Sequence, residues 1–209
     1  SLIADPRDLP DIPALPEPYT DITNAEIIEA ETLPREGDQP KIETKNDGKT
    51  SYVYYYSVTD NLNLSGQDLN INSGTQVILY TQGNITFDGE VSVNEGGNKS
   101  TYLQIYGTTN TTSINFTGTG TKKITAFIHA PEATVRVENS TMTVEWTGAI
   151  WAKDWDDQSS LGAAQVSLTP DDQYYYYLTV QKQLELNPTP RIVEPIIKSP
   201  ADWETQEIP

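Results

Sequence analysis

Short apolar, strand-like segments recur along the middle of this chain at nearly constant spacing. They start at Val53, Val77, Leu103, Phe127 and Ile150, so the intervals are 24, 26, 24 and 23 residues. Polar or glycine-containing breaks separate them, and apolar residues do not recur at helical spacing. A repeat of this length, with strands of about five residues, is typical of a three-sided parallel β-helix. The sequence therefore predicts an all-β fold, a right-handed β-solenoid of about five coils.

The clearest repeat lies between residues 124 and 155, where strand-like runs alternate with turn formers at Ala130-Pro131 and Thr147-Gly148. Each run alternates apolar and polar residues, as a strand with one buried face does. Alternation in the earlier repeats predicts an inward-facing set. It consists of Leu62, Leu64, Leu69, Ile71, Val77, Leu79, Ile85, Phe87, Val91, Val93, Leu103, Ile105, Ile114 and Phe116.

Proline and glycine divide the chain into three zones. Seven of the fourteen prolines lie in residues 1–50 and five in 187–209, whereas eleven of the thirteen glycines lie between them. Proline cannot donate to a sheet ladder, and glycine serves at turns and corners. We therefore expect an extended acidic arm at 1–50, the solenoid body at 51–186 and a second extended arm at 187–209. Within the first arm, Thr23 or Asn24 followed by Glu26 predicts a short capped helix.

Charge and composition exclude several classes of function. The net charge of −17 repels nucleic acid and anionic lipid. The absence of cysteine excludes disulfides, thiol catalysis and cysteine-based zinc sites. No run of 18 apolar residues is present, so we expect no membrane span in this sequence.

Three segments of the body carry a resemblance to a known family. They are His129-Ala130-Pro131, residues 148–153 (GAIWAK) and the tyrosine-rich residues 174–177. Together they resemble the solenoid domain of bacterial pilus-assembly accessory proteins and pseudopilins, which is similar to domains in large cyanobacterial surface proteins linked to polysaccharide secretion and gliding. The resemblance covers about residues 75–180. It implies an architectural role at the cell surface and no enzymatic activity. The long hydrophobic helix that begins pilin-like members is missing from this sequence.

Few residues point to catalysis or to a cofactor. His129 is the only histidine, and one imidazole cannot build the usual acid–base or zinc constellation, so we interpret it as a coil-corner residue with a satisfied ring. Asp154, Asp156 and Asp157 form a weak calcium candidate, against the simpler interpretation of a solvated loop. We expect no cofactor and no enzyme, although some solenoids degrade polysaccharides with paired acids.

The aromatic surplus and the two arms are the predicted interaction sites. One tyrosine run lies in the first predicted coil and the other in the last, where open sheet ends must be capped or joined. The alternatives are ordinary core packing and sugar binding. The residues predicted at subunit interfaces are Leu9, Ile12, Leu15, Tyr19, Tyr52, Tyr54, Tyr55, Tyr56, Tyr174, Tyr175, Tyr176, Tyr177, Ile192, Val193, Ile196, Ile197 and Trp203.

Two functions remain open from the sequence. The first is a non-catalytic structural subunit of an extracellular bacterial filament or surface layer, whose partner is the protein itself. Its coils would stack head to tail, and its arms would lie along neighbouring subunits. The second is a polysaccharide-binding module at a pilus tip or on an adhesin, with Trp146, Trp151 and Trp155 stacking on sugars.

Overall fold

The structure is a computed structural model, and it describes residues 11–44, 50–95, 99–138, 141–156 and 165–169. Within those ranges the chain forms fourteen β-strands, the α-helix α1 (Asn24–Ala30) and a 3₁₀ turn at Ser100–Tyr102. In chain order the strands are β1 (Thr20–Ile22), β2 (Thr32–Leu33), β3 (Lys41–Thr44), β4 (Thr50–Val58), β5 (Leu62–Ser65), β6 (Asp68–Ile71), β7 (Thr75–Thr81), β8 (Ile85–Asp88), β9 (Val91–Val93), β10 (Leu103–Gly107), β11 (Ser113–Thr117), β12 (Gly120–Val137), β13 (Met142–Asp156) and β14 (Gln165–Thr169).

The strands wind as a parallel β-solenoid of about four turns, which confirms the predicted fold class, although about five coils were predicted. Inside the body, strands pair in parallel with the strands one turn earlier and one turn later, as β7 does with β4 and β10. Face A contains β1, β4, β7 and β10 and continues through the middle of β12 and β13. Face B contains β5, β8 and β11 and continues through the ends of β12 and β13. Face C contains β2, β6 and β9, the beginnings of β12 and β13, and β14.

The predicted breaks inside the longest repeat are bends within continuous strands. Ala130-Pro131 lies inside β12, and Thr147-Gly148 lies inside β13. The ladder between these two strands shifts its register only between Ala130 and Thr134. The chain therefore turns from one face to the next there without losing its pairing.

The core is a set of apolar columns that run along the solenoid axis. All fourteen residues of the predicted inward-facing set are buried. In one column Phe87 stacks on Phe116 with ring centroids 5.4 Å apart, and Trp146 packs edge-on against both rings. Full burial of such side chains stabilises the fold by about 1.5–3 kcal/mol each.

Asparagine side chains hold the corner between faces A and B. Oδ1 of Asn61 accepts the backbone N–H of Asn84 at 2.9 Å, one turn later. Oδ1 of Asn84 in turn accepts the backbone N–H groups of Thr112 and Ser113 at 3.0 and 3.1 Å. Corner amides that lie outside the strand ladders thus gain partners, as buried or half-buried N–H groups require.

In place of the extended arm predicted for residues 20–44, the structure has a folded cap. Its helix is the predicted one: the Thr23 hydroxyl accepts the N–H of Glu26 at 3.3 Å, and the Glu26 carboxylate accepts the N–H of Thr23 at 2.8 Å. This capping box satisfies two N–H groups that the first helical turn cannot. Residues 20–44 are called the cap below.

The cap covers the first coil of its own solenoid. Strand β1 pairs in parallel with residues 56–58 of β4, and β3 pairs antiparallel with residues 50–53 of the same strand. On face C, β2 pairs with β6. On face B, α1 takes the position of a strand, and Oδ1 of Asn24 accepts the backbone N–H of Asn63 at 2.8 Å. No helix among the residues described above is long and apolar enough to span a membrane.

Gly148 lies where the neighbouring coil leaves no room for a side chain. Its φ is +125°, and a Cβ placed there would collide with the carbonyl oxygen of Ala126 in the neighbouring strand. Gly74 also has a positive φ, of +80°, but a Cβ placed there would meet open space. A side chain at Gly74 would therefore meet backbone strain alone, whereas one at Gly148 would meet both strain and a steric clash.

Replacing Gly148 with alanine is expected to destabilise the fold by about 3 kcal/mol or more, because strain and a backbone clash add. Gly74→Ala, the matched control, is expected to cost about 1–2 kcal/mol from strain alone. Urea unfolding monitored by tryptophan fluorescence measures both values. Equal losses in the two variants would contradict the steric argument.

Candidate functional site

An aromatic column runs along the outer side of face A. Tyr80, Tyr106, His129 and Trp151 occupy the same register position in four successive turns. Their rings are in contact, with centroids 5.1 Å apart for Tyr80–Tyr106, 6.2 Å for Tyr106–His129 and 5.4 Å for His129–Trp151. None of the four belongs to the inner core, whose columns contain their sequence neighbours. These four residues are called the outer column below.

The outer column is covered although it points away from the core. Tyr80, Tyr106 and His129 are buried, and Trp151 is half-buried. Phe127, in the adjacent position, is also buried and packs edge-on against Trp151 at 5.3 Å. A sheet face whose outward side chains are buried must carry another layer of chain.

Residues 11–19, with the sequence DIPALPEPY, contribute to that layer and are called the strap below. The hydroxyl of Tyr80 donates to the backbone carbonyl of Ala14 at 3.5 Å, a long hydrogen bond. Asp11 lies close enough to His129 to affect its pKa. The strap then leads into β1 at Thr20, beside β4.

The length of the strap matches this path. Thr20, Tyr80 and His129 lie on the first, third and fifth strands of face A, so the path spans four strand spacings, or roughly 19 Å. Nine residues in a polyproline-like conformation reach roughly 28 Å. The strap is therefore long enough to cross the turns of face A along the solenoid axis.

His129 lies in the outer column with an unsatisfied ring nitrogen. The residue is only 2% exposed, and Nε2 has no hydrogen-bond partner. Burial lowers the pKa of His129 to about 4, against the opposing effect of Asp11. The prediction of a corner residue with a satisfied ring is wrong, because the side chain points outward from a strand into an aromatic layer. A neutral imidazole suits that position, and an imidazolium does not.

Polar contacts hold the cap against the solenoid. The Tyr56 hydroxyl donates to Oδ2 of Asp38 at 2.6 Å, and Arg35 contacts both Asp38 and Glu26. Burial alone would raise the pKa of Asp38, but the hydrogen bonds from Tyr56 and Arg35 outweigh it and hold the pKa below its ordinary value. Burial and the adjacent carboxylate raise the pKa of Tyr56. This network fixes the loop after β2 onto the first coil.

The predicted tyrosine interface is only partly available at the first coil. Tyr52 is 46% exposed, but Tyr54 packs against the core, and Tyr55 and Tyr56 are buried. The cap is the reason, because it covers the edge of β4 that was expected to be open. Tyr56 therefore contacts the chain's own cap rather than a free surface.

Other predicted contact residues fall into two groups. In the strap, Ile12 and Leu15 are half-buried and Tyr19 is exposed. The remaining predicted interface residues lie outside the described part of the chain. These are Leu9, Tyr174, Tyr175, Tyr176, Tyr177, Ile192, Val193, Ile196, Ile197 and Trp203.

The three predicted sugar-stacking tryptophans lie in different environments. Trp146 is 1% exposed and packs edge-on against Phe87 and Phe116 in the core. A sugar cannot reach its ring, so its prediction is wrong. Trp151 belongs to the outer column. Trp155 is 41% exposed near the end of β13.

The aspartates near Trp155 do not converge on one point in the described residues. Asp154 accepts the backbone N–H of Trp155 at 2.8 Å, and Asp156 forms an ion pair with Arg136 at 3.5 Å. Asp157 lies outside the described residues. Across the part of the chain that the structure describes, no group of three His, Cys, Asp or Glu side chains is arranged to hold a metal ion.

A profile of a domain of unknown function, DUF7305, matches residues 54–175, which is more than half of the chain. This chain belongs to the DUF7305 family. No curated protein and no solved structure matches it. The DUF7305 match contains the whole outer column and begins inside β4, after the strap and the cap.

The outer column of this DUF7305 chain was missed by sequence reasoning, although the sequence carries a signal for it. Residues 77–80 (VILY) and 126–130 (AFIHA) are continuous apolar or aromatic runs rather than alternating ones. A continuous run indicates a strand with both faces buried. Taking only alternate residues as buried discarded that information.

Acid is expected to weaken this DUF7305 fold partly through His129. The pKa of this residue is about 4 in the folded chain, against 6.5 ordinarily, so between these values the unfolded chain binds more protons. The free energy of unfolding should thus begin to fall below about pH 6.5, and the loss should be complete below about pH 4, at up to about 3 kcal/mol.

His129→Phe isolates this contribution, because it keeps an aromatic ring in the column and cannot titrate. Urea unfolding of the two proteins at several pH values between 4 and 7 gives the difference curve. Carboxylates such as Asp38 titrate in both proteins and cancel. Parallel curves for wild type and variant would contradict the prediction.

Proposed function

We propose that this chain is a non-catalytic structural subunit of an extracellular bacterial filament or surface layer. The observation that carries the proposal is the contact between the strap and the outer column. An extended, proline-rich segment without a core of its own binds across several turns of a rigid solenoid. This is the contact by which an arm joins one subunit to the next when it binds a neighbour instead of its own chain.

The cap suggests how such joining proceeds. Because β1 and β3 pair with the edge of β4, another subunit reaches that edge only when the cap leaves it. In an exchanged assembly, residues 11–44 of one subunit cover β4 and the outer column of the next. Every contact of the strap and cap is then remade between chains, so exchange loses little interaction energy.

The resemblance of residues 129–131, 148–153 and 174–177 to pilus-assembly accessory proteins and pseudopilins supports an architectural role at the cell surface. The net charge of −17 is compatible with a protein that stays dispersed until specific contacts form. In this proposal the solenoid supplies the rigid rod, and the strap and cap supply the connection between rods.

Paired cysteines test the exchange directly, since the native chain has none. Asp21 and Ser57 are register partners in β1 and β4, and neighbouring strands lie about 4.8 Å apart, within the range that a disulfide bridges. We expect a mixture of Asp21→Cys and Ser57→Cys chains, assembled and then oxidised, to give heterodimers on a non-reducing gel.

The double variant Asp21→Cys/Ser57→Cys is the matched control and can close the bridge in either arrangement. If electron microscopy shows filaments but the mixture gives no cross-linked product, exchange is wrong and the filament is held in another way. If no filaments or sheets form under any assembly condition, the structural function itself is wrong.

The exposed indole of Trp155 favours a second candidate, binding to extracellular polysaccharide. A ring that is 41% exposed near the end of β13 offers a stacking face for a sugar. In this function a monomer binds glycan without assembling.

In the glycan-binding function, Trp155→Ala is expected to lower the affinity for a bound polysaccharide at least about tenfold. Trp151→Ala serves as the comparison, because Trp151 lies in the outer column rather than on an open surface. Binding of the purified chain to a glycan array, followed by calorimetry on any hit, gives both affinities. Binding that survives Trp155→Ala unchanged would contradict this site.

A further inference from the structure

Strand β3 presents an unpaired edge at the capped end of the solenoid. It pairs on one side with β4, and no other described strand pairs with its second side. Pro40 precedes it and cannot donate to a ladder, so the available edge is limited to residues 41–44. A strand edge of this kind is a template for pairing with another strand.

The most exposed large apolar side chain among the described residues lies in this strand. Ile42 is 64% exposed, and its cross-strand partner Tyr52 is 46% exposed. Cross-strand partners lie on the same side of a hairpin, so the two side chains form one apolar patch beside the open edge. An apolar patch exposed to water is unfavourable, and a second strand paired with β3 would bury it.

The charges of β3 select a partner strand. In antiparallel pairing with a second copy of β3, centred on Ile42, Lys41 of each copy lies opposite Glu43 of the other. Centring on Lys41 or Glu43 instead places two like charges opposite each other. Offsetting by one residue opposes Lys41 with Thr44 and Glu43 with Ile42. Only the pairing centred on Ile42 joins opposite charges twice and brings the two isoleucines together.

The monomer already holds both charges at this edge. Nζ of Lys41 lies 5.6 Å from the centre of the Tyr55 ring, and the Tyr55 hydroxyl donates to Oε1 of Glu43 at 3.2 Å. Nζ of Lys41 also lies 3.6 Å from Oε1 of Glu43, as an ion pair. Both side chains are therefore already ordered in the monomer, which lowers the entropy that their ordering costs on association.

We propose that β3 is a self-association edge, and that two copies of this chain pair antiparallel through β3 about a two-fold axis at Ile42. The contact joins face A of both solenoids into one sheet with the two caps at its centre. It is isologous, so it closes on itself and yields a dimer. It differs from strap exchange, since β3 pairs with β4 on its other side in either arrangement.

The acidic character of the cap sets the conditions for the test. Residues 20–44 contain seven acidic residues and only two basic ones, Arg35 and Lys41. Two caps that meet therefore repel each other at low salt, and a Debye length of about 8 Å at physiological ionic strength screens this repulsion beyond the strand contact. Sedimentation velocity of the full chain across a concentration series at that ionic strength gives the dissociation constant.

Charge exchange in β3 is the main test. Lys41→Glu places two pairs of like charges across the axis and is expected to weaken the dimer about tenfold or more, and Glu43→Lys should do the same. The double variant Lys41→Glu/Glu43→Lys restores opposite charges and should dimerise as wild type does. Ile42→Lys should give a monomer, while Trp155→Lys, at an exposed site on β13, should not change the dimer.

Cysteine placement tests the register. Ile42→Cys puts two thiols opposite each other at the axis and should form a covalent dimer on oxidation. Thr44→Cys, on the same strand, places them four residues apart along the strands, roughly 13 Å, and should not. Wild type that stays monomeric throughout the series, a dimer unaffected by Ile42→Lys, or equal cross-linking at both positions would each overturn the proposal. The Asp21→Cys and Ser57→Cys mixture reports on exchange separately, so the two proposals can fail independently.

Discussion

Backbone hydrogen bonding between successive turns is the constraint on which the rest of this structure depends. Each strand of the body finds its partners one turn above and one turn below, so the first turn must obtain partners from elsewhere. The cap supplies them on all three faces, with β1 and β3 on face A, a helix on face B and β2 on face C. A proline within two residues of each short cap strand then limits how far the ladder can continue, at Pro18, Pro34 and Pro40.

Much of the fold was predictable because it follows from local rules. The period near 24 residues predicted the solenoid, alternation predicted the buried core, and Thr23 with Glu26 predicted α1. The assignment of residues 20–44 to an extended arm was wrong, apart from the predicted helix. Its proline content describes the strap well, but the cap strands consist of two to four residues each and become strands only because β4 and β6 offer them an edge. Tertiary pairing of that kind leaves almost no signal in composition.

The candidate site was harder to predict than the fold, for a related reason. Aromatic residues were expected to mark a surface, but Trp146 packs in the core against two stacked phenylalanines, and Tyr56 is covered by the cap. Lys122 is the opposite case, a charged residue that was not expected in the core. It alternates with apolar core residues and is fully buried, and Nζ donates to the Gly89 carbonyl at 2.7 Å, while burial lowers its pKa. Residue type gives a probability of exposure, and the neighbours in the fold decide it.

The strap has a consequence for the order in which this protein acquires its structure. A ribosome releases Asp11 well before it releases His129, because 118 residues separate them, and synthesis at 5–20 residues per second takes roughly 6 to 24 s over that distance. The strap therefore emerges first but can bind only after the turns that contain Tyr80, Tyr106 and His129 have folded and stacked these rings. During that interval the strap has no completed solenoid of its own chain to bind. Any completed copy nearby presents the surface to which the strap binds.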